Sequence, residues 1–148
     1  PSHLHIQAAD RSALRALRIL LAEDNEINQE IAVALLESLG IEALVAGNGA
    51  EALALLGTEQ VDGVLMDIQM PVMDGLTAAR RIRESGNPAV RELPVIAMTA
   101  HAMQEDRMKS LDAGMDDHIT KPIDVDALQQ VLLHRVARGG QSRKDGRK

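Results

Sequence analysis

The chain of 148 residues contains no cysteine, which excludes thiol catalysis, thiolate metal sites and disulfide bonds. It also contains no phenylalanine, tyrosine or tryptophan, so nucleic-acid bases have no aromatic side chains on which to stack. No apolar run approaches the ~20 residues that span a bilayer, and the first residues lack the charged-then-apolar pattern that is typical of a secretory leader. From these absences we expect a cytoplasmic domain that contacts neither nucleic acid nor membrane.

Acidic and basic residues are distributed unevenly along the chain. The net charge is −6, yet residues 138–148 hold five basic residues and one acidic residue, which gives +4 there and −10 on the rest. An acidic surface disfavours nucleic acid as a direct partner. Since 45% of the residues are hydrophobic, one folded core is expected. We predict a linker at residues 1–17, one domain at residues 18–137 and a flexible basic tail at residues 138–148.

Short apolar runs alternate with helical patterns from Arg18 onward. The runs predict strands at residues 18–22, 42–46, 61–66, 93–98 and 117–120. Apolar residues three or four apart predict the inward faces of the helices: Ile27, Ile31, Leu35 and Leu39; Leu53 and Leu56; Leu76, Ala79 and Ile82; Met103, Met108 and Leu111; and Leu128, Val131, Leu132 and Val136, with Asp124 capping the last helix. Five such repeats in ~120 residues predict an α/β fold, a doubly wound five-stranded parallel sheet with helices on both faces, because an eightfold barrel needs ~250 residues.

Polar residues stand where four of the predicted strands end. Glu23 and Asp24 follow the first strand, Asp67 the third, Thr99 the fourth and Lys121 the fifth. In an open parallel sheet, ligands bind beyond the carboxyl ends of the strands. Any one of these acids alone is more often a solvated loop residue or a helix cap. Together they predict a site whose crowded carboxylates require a cation, and oxygen ligands without histidine or cysteine favour Mg²⁺.

A carboxylate can act as the nucleophile toward phosphorus when a metal, a lysine and hydrogen-bond donors meet the added charge. An aspartate-nucleophile phosphohydrolase is one alternative, but such enzymes need a second carboxylate two residues after the nucleophile, where this chain has Gln69. A nucleotide-binding domain is another. The segment Gly47-Asn48-Gly49 lacks the third glycine of the dinucleotide pattern, and it follows the second strand rather than the first.

Four segments carry a resemblance to a known family: "LLAEDN", "LMDIQMPVMDG", "IAMTA" and "DDHITKPI". In this order and spacing they resemble the receiver domain of two-component response regulators, and most of all the receivers of hybrid sensor histidine kinases. The resemblance covers about residues 18–137 and implies a flavodoxin-like (βα)5 fold. It also implies that Asp67 accepts a phosphoryl group from a phosphohistidine on a histidine kinase or a histidine phosphotransfer domain.

The resemblance implies roles for the neighbouring residues as well. Asp24 and Asp67, with the backbone carbonyl of Gln69, would bind Mg²⁺, and Glu23 would act through a metal-bound water. Lys121 would pair with a phosphoryl oxygen, aimed by a cis bond to Pro122, while the hydroxyl of Thr99 would turn toward the modified aspartate. Pro71 and Gly75 would shape the turn after Asp67.

His118 departs from the family pattern, in which an aromatic ring on the fifth strand couples to the Thr99 position. We expect His118 to serve as the switch side chain, with a smaller ring that can carry charge near neutral pH. Gln69 and His101 border the predicted pocket, and we expect them to tune how fast water attacks the acyl phosphate.

On this interpretation the domain is not an enzyme with an external substrate, because it supports only its own phosphorylation and dephosphorylation. The alternatives for its context are a freestanding regulator and the receiver of a hybrid kinase. The sequence favours the hybrid kinase, whose sensor would lie in the inner membrane. The domain itself is expected to be a monomer or a weak dimer. A receiver-like module that binds partners without phosphorylation is a further alternative, which the intact set of strand-end residues disfavours.

Overall fold

Five parallel strands form the centre of the structure, a computed structural model that describes residues 8–100 and 104–137. The strands are β1 (Arg18–Ala22), β2 (Glu42–Ala46), β3 (Gly63–Asp67), β4 (Val95–Thr99) and β5 (Asp117–Thr120). They lie in the order β2-β1-β3-β4-β5, and every neighbouring pair is parallel. Every residue of β3 and β4 is buried, as expected where helices cover both faces of a parallel sheet. The predicted fold class is confirmed.

The helices are α1 (Ala8–Arg15), α2 (Glu26–Ser38), α3 (Gly49–Leu56), α4 (Gly75–Arg83), α5 (Pro88–Arg91), α6 (Gln104–Asp112) and α7 (Val125–Val131), and α7 continues into π-helical turns at Leu132–Ala137. Helices α1, α2 and α7 pack on one face of the sheet, where Leu14, Leu36 and Leu128 join one apolar core. Helices α3 and α4 cover the other face, where Ala52 and Ile82 join a second core. Among the described residues, no helix is long and apolar enough to cross a membrane.

Side-chain caps fix where the helices begin after the strand ends. Asn25, Asn48, Asp74 and Asp124 each accept a hydrogen bond from a backbone N–H in the first turn of the following helix. These bonds satisfy donors that a helix N-terminus otherwise leaves unpaired. The predicted cap at Asp124 is confirmed by its bond from the Ala127 N–H at 3.1 Å.

The segment before β1 differs from the linker that the sequence suggested at residues 1–17. Residues 8–15 form helix α1, and Leu14 is only 1% exposed within the core shared with α7. Leu17 lies three residues further on and is buried in the same core. The polar residues around these two leucines hid a short amphipathic helix. Residues 1–7 and the predicted tail at 138–148 lie outside the described residues.

Two helices differ from the inward faces that the sequence predicted, α2 in part and α6 in its described residues. In α2, Leu35 and Leu39 pack against the core as predicted, but Ile27 and Ile31 are 68% and 50% exposed, whereas Ala32 and Leu36 are buried. In α6, the predicted apolar residues Met108 and Leu111 are exposed, while Met103 lies outside the described residues. Spacing of four predicts a stripe, but small residues such as Ala32 decide the face, because they allow the helix to approach the sheet closely.

Helix α5 is an element that the sequence analysis did not predict. It spans only four residues and begins with a proline in its first turn, after the Asn87 side chain caps the N–H of Ala89. Its N-terminus is therefore built by local side-chain chemistry rather than by an apolar pattern.

Candidate functional site

The carboxyl ends of β1, β3, β4 and β5 bring the predicted polar residues to one rim. Glu23 follows β1, Asp67 and Thr99 are the last residues of β3 and β4, and Lys121 follows β5. Glu23 is 2% exposed and Asp67 is 7% exposed, and Thr99 is also buried. Asp24 is exposed at the outer edge of the rim. A rim that buries charged groups must neutralise them, since an unpaired buried charge is costly.

Lys121 supplies a positive charge inside this rim. Its ammonium donates to Glu23 Oε1 at 2.8 Å and to Asp67 Oδ2 at 3.0 Å. Partial burial lowers the pKa of Lys121, but the hydrogen bonds and charges of the two carboxylates outweigh it and raise the pKa above the ordinary value. The peptide bond from Lys121 to Pro122 is cis.

Three carboxylates converge closely enough to hold one metal ion. Glu23, Asp24 and Asp67 each offer one oxygen, and these three atoms lie within 4.8 Å of one another. Glu23 Oε2 accepts from the Asn25 N–H at 3.1 Å, which orients that carboxylate. An all-oxygen set of this kind suits Mg²⁺ or another hard divalent cation. The residues present therefore fit the predicted metal.

The loop after Asp67 is held by backbone contacts. A Cβ atom at Gly75 would lie 2.1 Å from the carbonyl oxygen of Asp67, so only glycine allows this approach. The Gly75 N–H donates to the carbonyl of Ile68 at 2.9 Å. Within the loop, Val72 has a φ of 67° and is 84% exposed. A valine in this conformation is uncommon, and no pattern in the sequence predicts it.

Gln69 and His118 lie near the rim, whereas His101 is outside the described residues. The N–H of Gln69 donates to Asp67 Oδ1 at 3.2 Å, so Gln69 touches the aspartate through its backbone. His118 is half-buried on β5, where it pairs with Ala97 of β4, two residues before Thr99. Its Nδ1 lies 3.7 Å from an oxygen of Asp117. The roles predicted for these residues stay predictions.

A pocket of about 130 Å³ opens directly onto Asp67, Thr99 and Lys121. Its other walls include Asp106 and Lys109, two residues of α6 that the sequence analysis missed. Their spacing of three places them on one helix face, but nothing in the sequence shows that this face borders the rim. A larger cavity of about 690 Å³ lies beside Arg18 and contains none of the rim residues.

Comparisons with known proteins place this chain in a family. The model of the response regulator receiver domain matches residues 19–133. The sensor histidine kinase GacS of Pseudomonas protegens is 39% identical over 138 residues, which cover 90% of this chain and 15% of that protein. This chain spans 15% or less of the length of the first curated relatives, which include hybrid signal transduction proteins of Dictyostelium discoideum.

Two solved structures are similar over most of this chain. One is the receiver domain of the sensor histidine kinase PA1611 from Pseudomonas aeruginosa PAO1, with a magnesium ion coordinated in its active site cleft; it is 40% identical, with a TM-score of 0.74 over 82% of this chain and 98% of that one. The other is a co-crystal structure of the Saccharomyces cerevisiae histidine phosphotransfer protein Ypd1 with the receiver domain of Ssk1. The match is 31% identical, with a TM-score of 0.73 over 82% of this chain and 89% of that one.

This chain belongs to the response regulator receiver domain family. The class of protein is therefore a receiver domain of two-component systems, and its relatives include receivers of hybrid sensor histidine kinases.

Proposed function

We propose that this domain is the phosphoacceptor of a two-component phosphorelay and that Asp67 receives the phosphoryl group. The observation that carries the proposal is the buried Asp67 carboxylate, which faces Lys121 at 3.0 Å and shares its rim with Glu23 and Asp24. The Asp67 carboxylate accepts a hydrogen bond from the Gln69 N–H, pairs with the Lys121 ammonium and still lines a pocket. These are the conditions under which a carboxylate acts as a nucleophile toward phosphorus.

The proposed step transfers phosphorus from nitrogen to oxygen. An oxygen of Asp67 attacks the phosphorus of a phosphohistidine on the partner, and an O–P bond forms as the N–P bond breaks. The leaving imidazole nitrogen keeps the electron pair and takes a proton from solvent. Lys121 holds a phosphoryl oxygen, and the Thr99 hydroxyl donates to another. Hydrolysis would then regenerate the carboxylate: water attacks the phosphorus, the bond from phosphorus to the Asp67 oxygen breaks, and inorganic phosphate leaves.

Asp24, Asp67 and the backbone carbonyl of Gln69 would hold Mg²⁺, and Glu23 would act through a water on the metal. When bound, it would neutralise charge on the transferred phosphoryl oxygens. The chain's own contribution is to hold the carboxylate oxygens of Glu23, Asp24 and Asp67 close together before the metal binds. Glu23 is oriented for that purpose by the Asn25 N–H.

A histidine phosphotransfer domain or the parent histidine kinase is the partner that we propose. Ile27 and Ile31 form an exposed apolar pair at the start of α2, the helix that follows Glu23 and Asp24. Val72, in the loop after Asp67, is also exposed. Apolar side chains beside a polar site are typical of an interface centre. We propose that phosphorylation then shifts an equilibrium between two surfaces through Thr99 and His118.

The proposed function is tested by incubating the domain with acetyl phosphate and Mg²⁺ and measuring its intact mass. We expect a gain of one phosphoryl group in the native protein and in the control variant Asp112→Asn, which removes an exposed acid outside the rim. Asp67→Asn should gain none. A phosphoryl group that persists in Asp67→Asn would assign the acceptor elsewhere. No gain in any form would leave a binding module that works without phosphorylation.

A further inference from the structure

Helix α6 forms one wall of the pocket beside Asp67 through Asp106 and Lys109. The two residues are three positions apart and so lie on the same face of the helix. Lys109 lines the pocket and is exposed to solvent. Lys121, by contrast, lies inside the rim.

The two lysines of this pocket differ in how their charges are engaged. Lys121 is shared between Glu23 and Asp67, at 2.8 and 3.0 Å. Within residues 8–100 and 104–137, no carboxylate oxygen lies within 4.0 Å of the Lys109 ammonium. Lys109 is therefore a positively charged residue that lines the pocket and forms no ion pair within the described part of the chain.

We propose that Lys109 binds the anionic group of the phosphodonor as it enters the pocket, and so favours doubly charged over singly charged donors. The attraction scales with the product of the charges, so a dianion gains about twice as much as a monoanion at the same distance. Asp106 lines the same pocket and repels both kinds of donor in proportion to their charge, so the effect of removing Lys109 still scales with the charge of the donor. The inference rests on the proposed function of Asp67 and adds a residue that selects among its donors.

Acetyl phosphate and phosphoramidate provide the two donor charges, doubly and singly negative near neutral pH. With acetyl phosphate, an oxygen of Asp67 attacks phosphorus, the bond from phosphorus to the acetyl oxygen breaks, and acetate leaves with the electron pair. With phosphoramidate, the N–P bond breaks and ammonia leaves after its nitrogen takes a proton. Both reactions end in the same phosphorylated Asp67, but their leaving groups differ. Each variant is therefore compared with the native protein for the same donor, which isolates the effect on donor recognition.

Lys109→Met should raise the acetyl phosphate concentration that gives the half-maximal rate by about two- to fivefold, the usual size of an exposed charge interaction. The maximal rate should change little, because Lys109 does not hold the reacting atoms. The effect on phosphoramidate should be smaller, and added salt should reduce the effect on acetyl phosphate. Lys109→Arg keeps the charge and should behave as the native protein does.

Arg107→Met is the matched control, because it removes one exposed positive charge from the same helix at a residue that does not line the pocket. If Lys109→Met and Arg107→Met change the half-maximal concentrations of the two donors equally, the assignment of Lys109 is overturned. An equal rise in the half-maximal concentrations of both donors in Lys109→Met would also overturn it, since the proposal is that Lys109 selects donors by charge.

A binding measurement separates this inference from the proposed function. Inorganic phosphate is titrated into the magnesium-loaded domain, and the amide resonances of Thr99 and Ala100 are followed by NMR. Weaker phosphate binding in Lys109→Met than in Arg107→Met supports the inference, and equal binding overturns it. If the native domain takes a phosphoryl group from neither donor, the proposed function fails, while the titration still decides the role of Lys109.

Discussion

Replacing Lys121 with methionine removes the ammonium that separates two buried carboxylates and keeps most of the side-chain volume. Oxygens of Glu23 and Asp67 lie within 4.8 Å of one another, and both residues are more than nine-tenths buried. At an effective dielectric of about 20, two unit charges at that distance repel by about 3.5 kcal/mol. Since Lys121 is itself partly exposed, water screens part of this energy, and we expect the free energy of unfolding to fall by about 2–3 kcal/mol.

The assay is urea unfolding followed by far-ultraviolet circular dichroism, because the chain has no aromatic residue to report by fluorescence. It is run at neutral pH with a chelator present. Lys109→Met is the matched control and should change the free energy by less than about 0.5 kcal/mol, since Lys109 is exposed. Magnesium should narrow the difference in free energy of unfolding between Lys121→Met and the native protein, because a bound cation would relieve the repulsion between Glu23 and Asp67. An unchanged unfolding curve for Lys121→Met would refute the electrostatic reasoning.

The remaining predictions concern pH and packing. Because the pKa of Lys121 is raised in the folded state, its pairing stabilises the fold fully below about pH 10.5. This contribution is lost as the pH rises through the higher folded-state pKa. The urea midpoint should therefore fall above pH 10.5 in the native protein but not in Lys121→Met. Leu14→Ala should cost about 2–5 kcal/mol in the same urea assay, whereas the exposed Leu111→Ala should cost under about 0.5 kcal/mol; equal costs would mean that α1 is not part of the core. Gly75→Ala should lower the free energy of unfolding by about 1–3 kcal/mol or more, because its Cβ would meet the Asp67 carbonyl oxygen at 2.1 Å. Gly86→Ala, whose Cβ would meet nothing within 4 Å, should be close to neutral. Equal costs for the two variants would mean that the Gly75 contact is absent in solution.

The strand ends were predictable from sequence because a buried parallel strand leaves an unambiguous signal. An apolar run that stops at Asp67 or Thr99 fixes both the element and its carboxyl end, and parallel pairing then brings such ends to one edge. The convergence of Glu23, Asp67 and Lys121 follows from that topology. The distances between them do not, since they depend on rotamers and on the twist of the sheet.

The helix faces were less predictable, since periodicity shows that a stripe exists without showing what covers it. Ile27 and Ile31 form a regular apolar pair, yet they are exposed, while the smaller Ala32 is buried. Apolar residues on an exposed helix face can have the same spacing as apolar residues that pack in the core, so spacing alone does not distinguish them. The positive φ of Val72 was also beyond prediction, because it results from how the surrounding loop closes around Gly75.

The charges at the rim would suit the reversible phosphoacceptor role that we propose. Glu23, Asp24 and Asp67 contribute three negative charges against one positive charge from Lys121. A divalent cation would bring this sum to zero, and a phosphoryl group on Asp67 would then make it negative again. In the cation-bound domain this negative excess would arise only on phosphorylation, and a further hydrogen-bond donor or cation at the pocket would offset it. Thr99 and Lys109 both line that pocket, so the charge of a phosphoryl group would act on β4 and α6 at the same time.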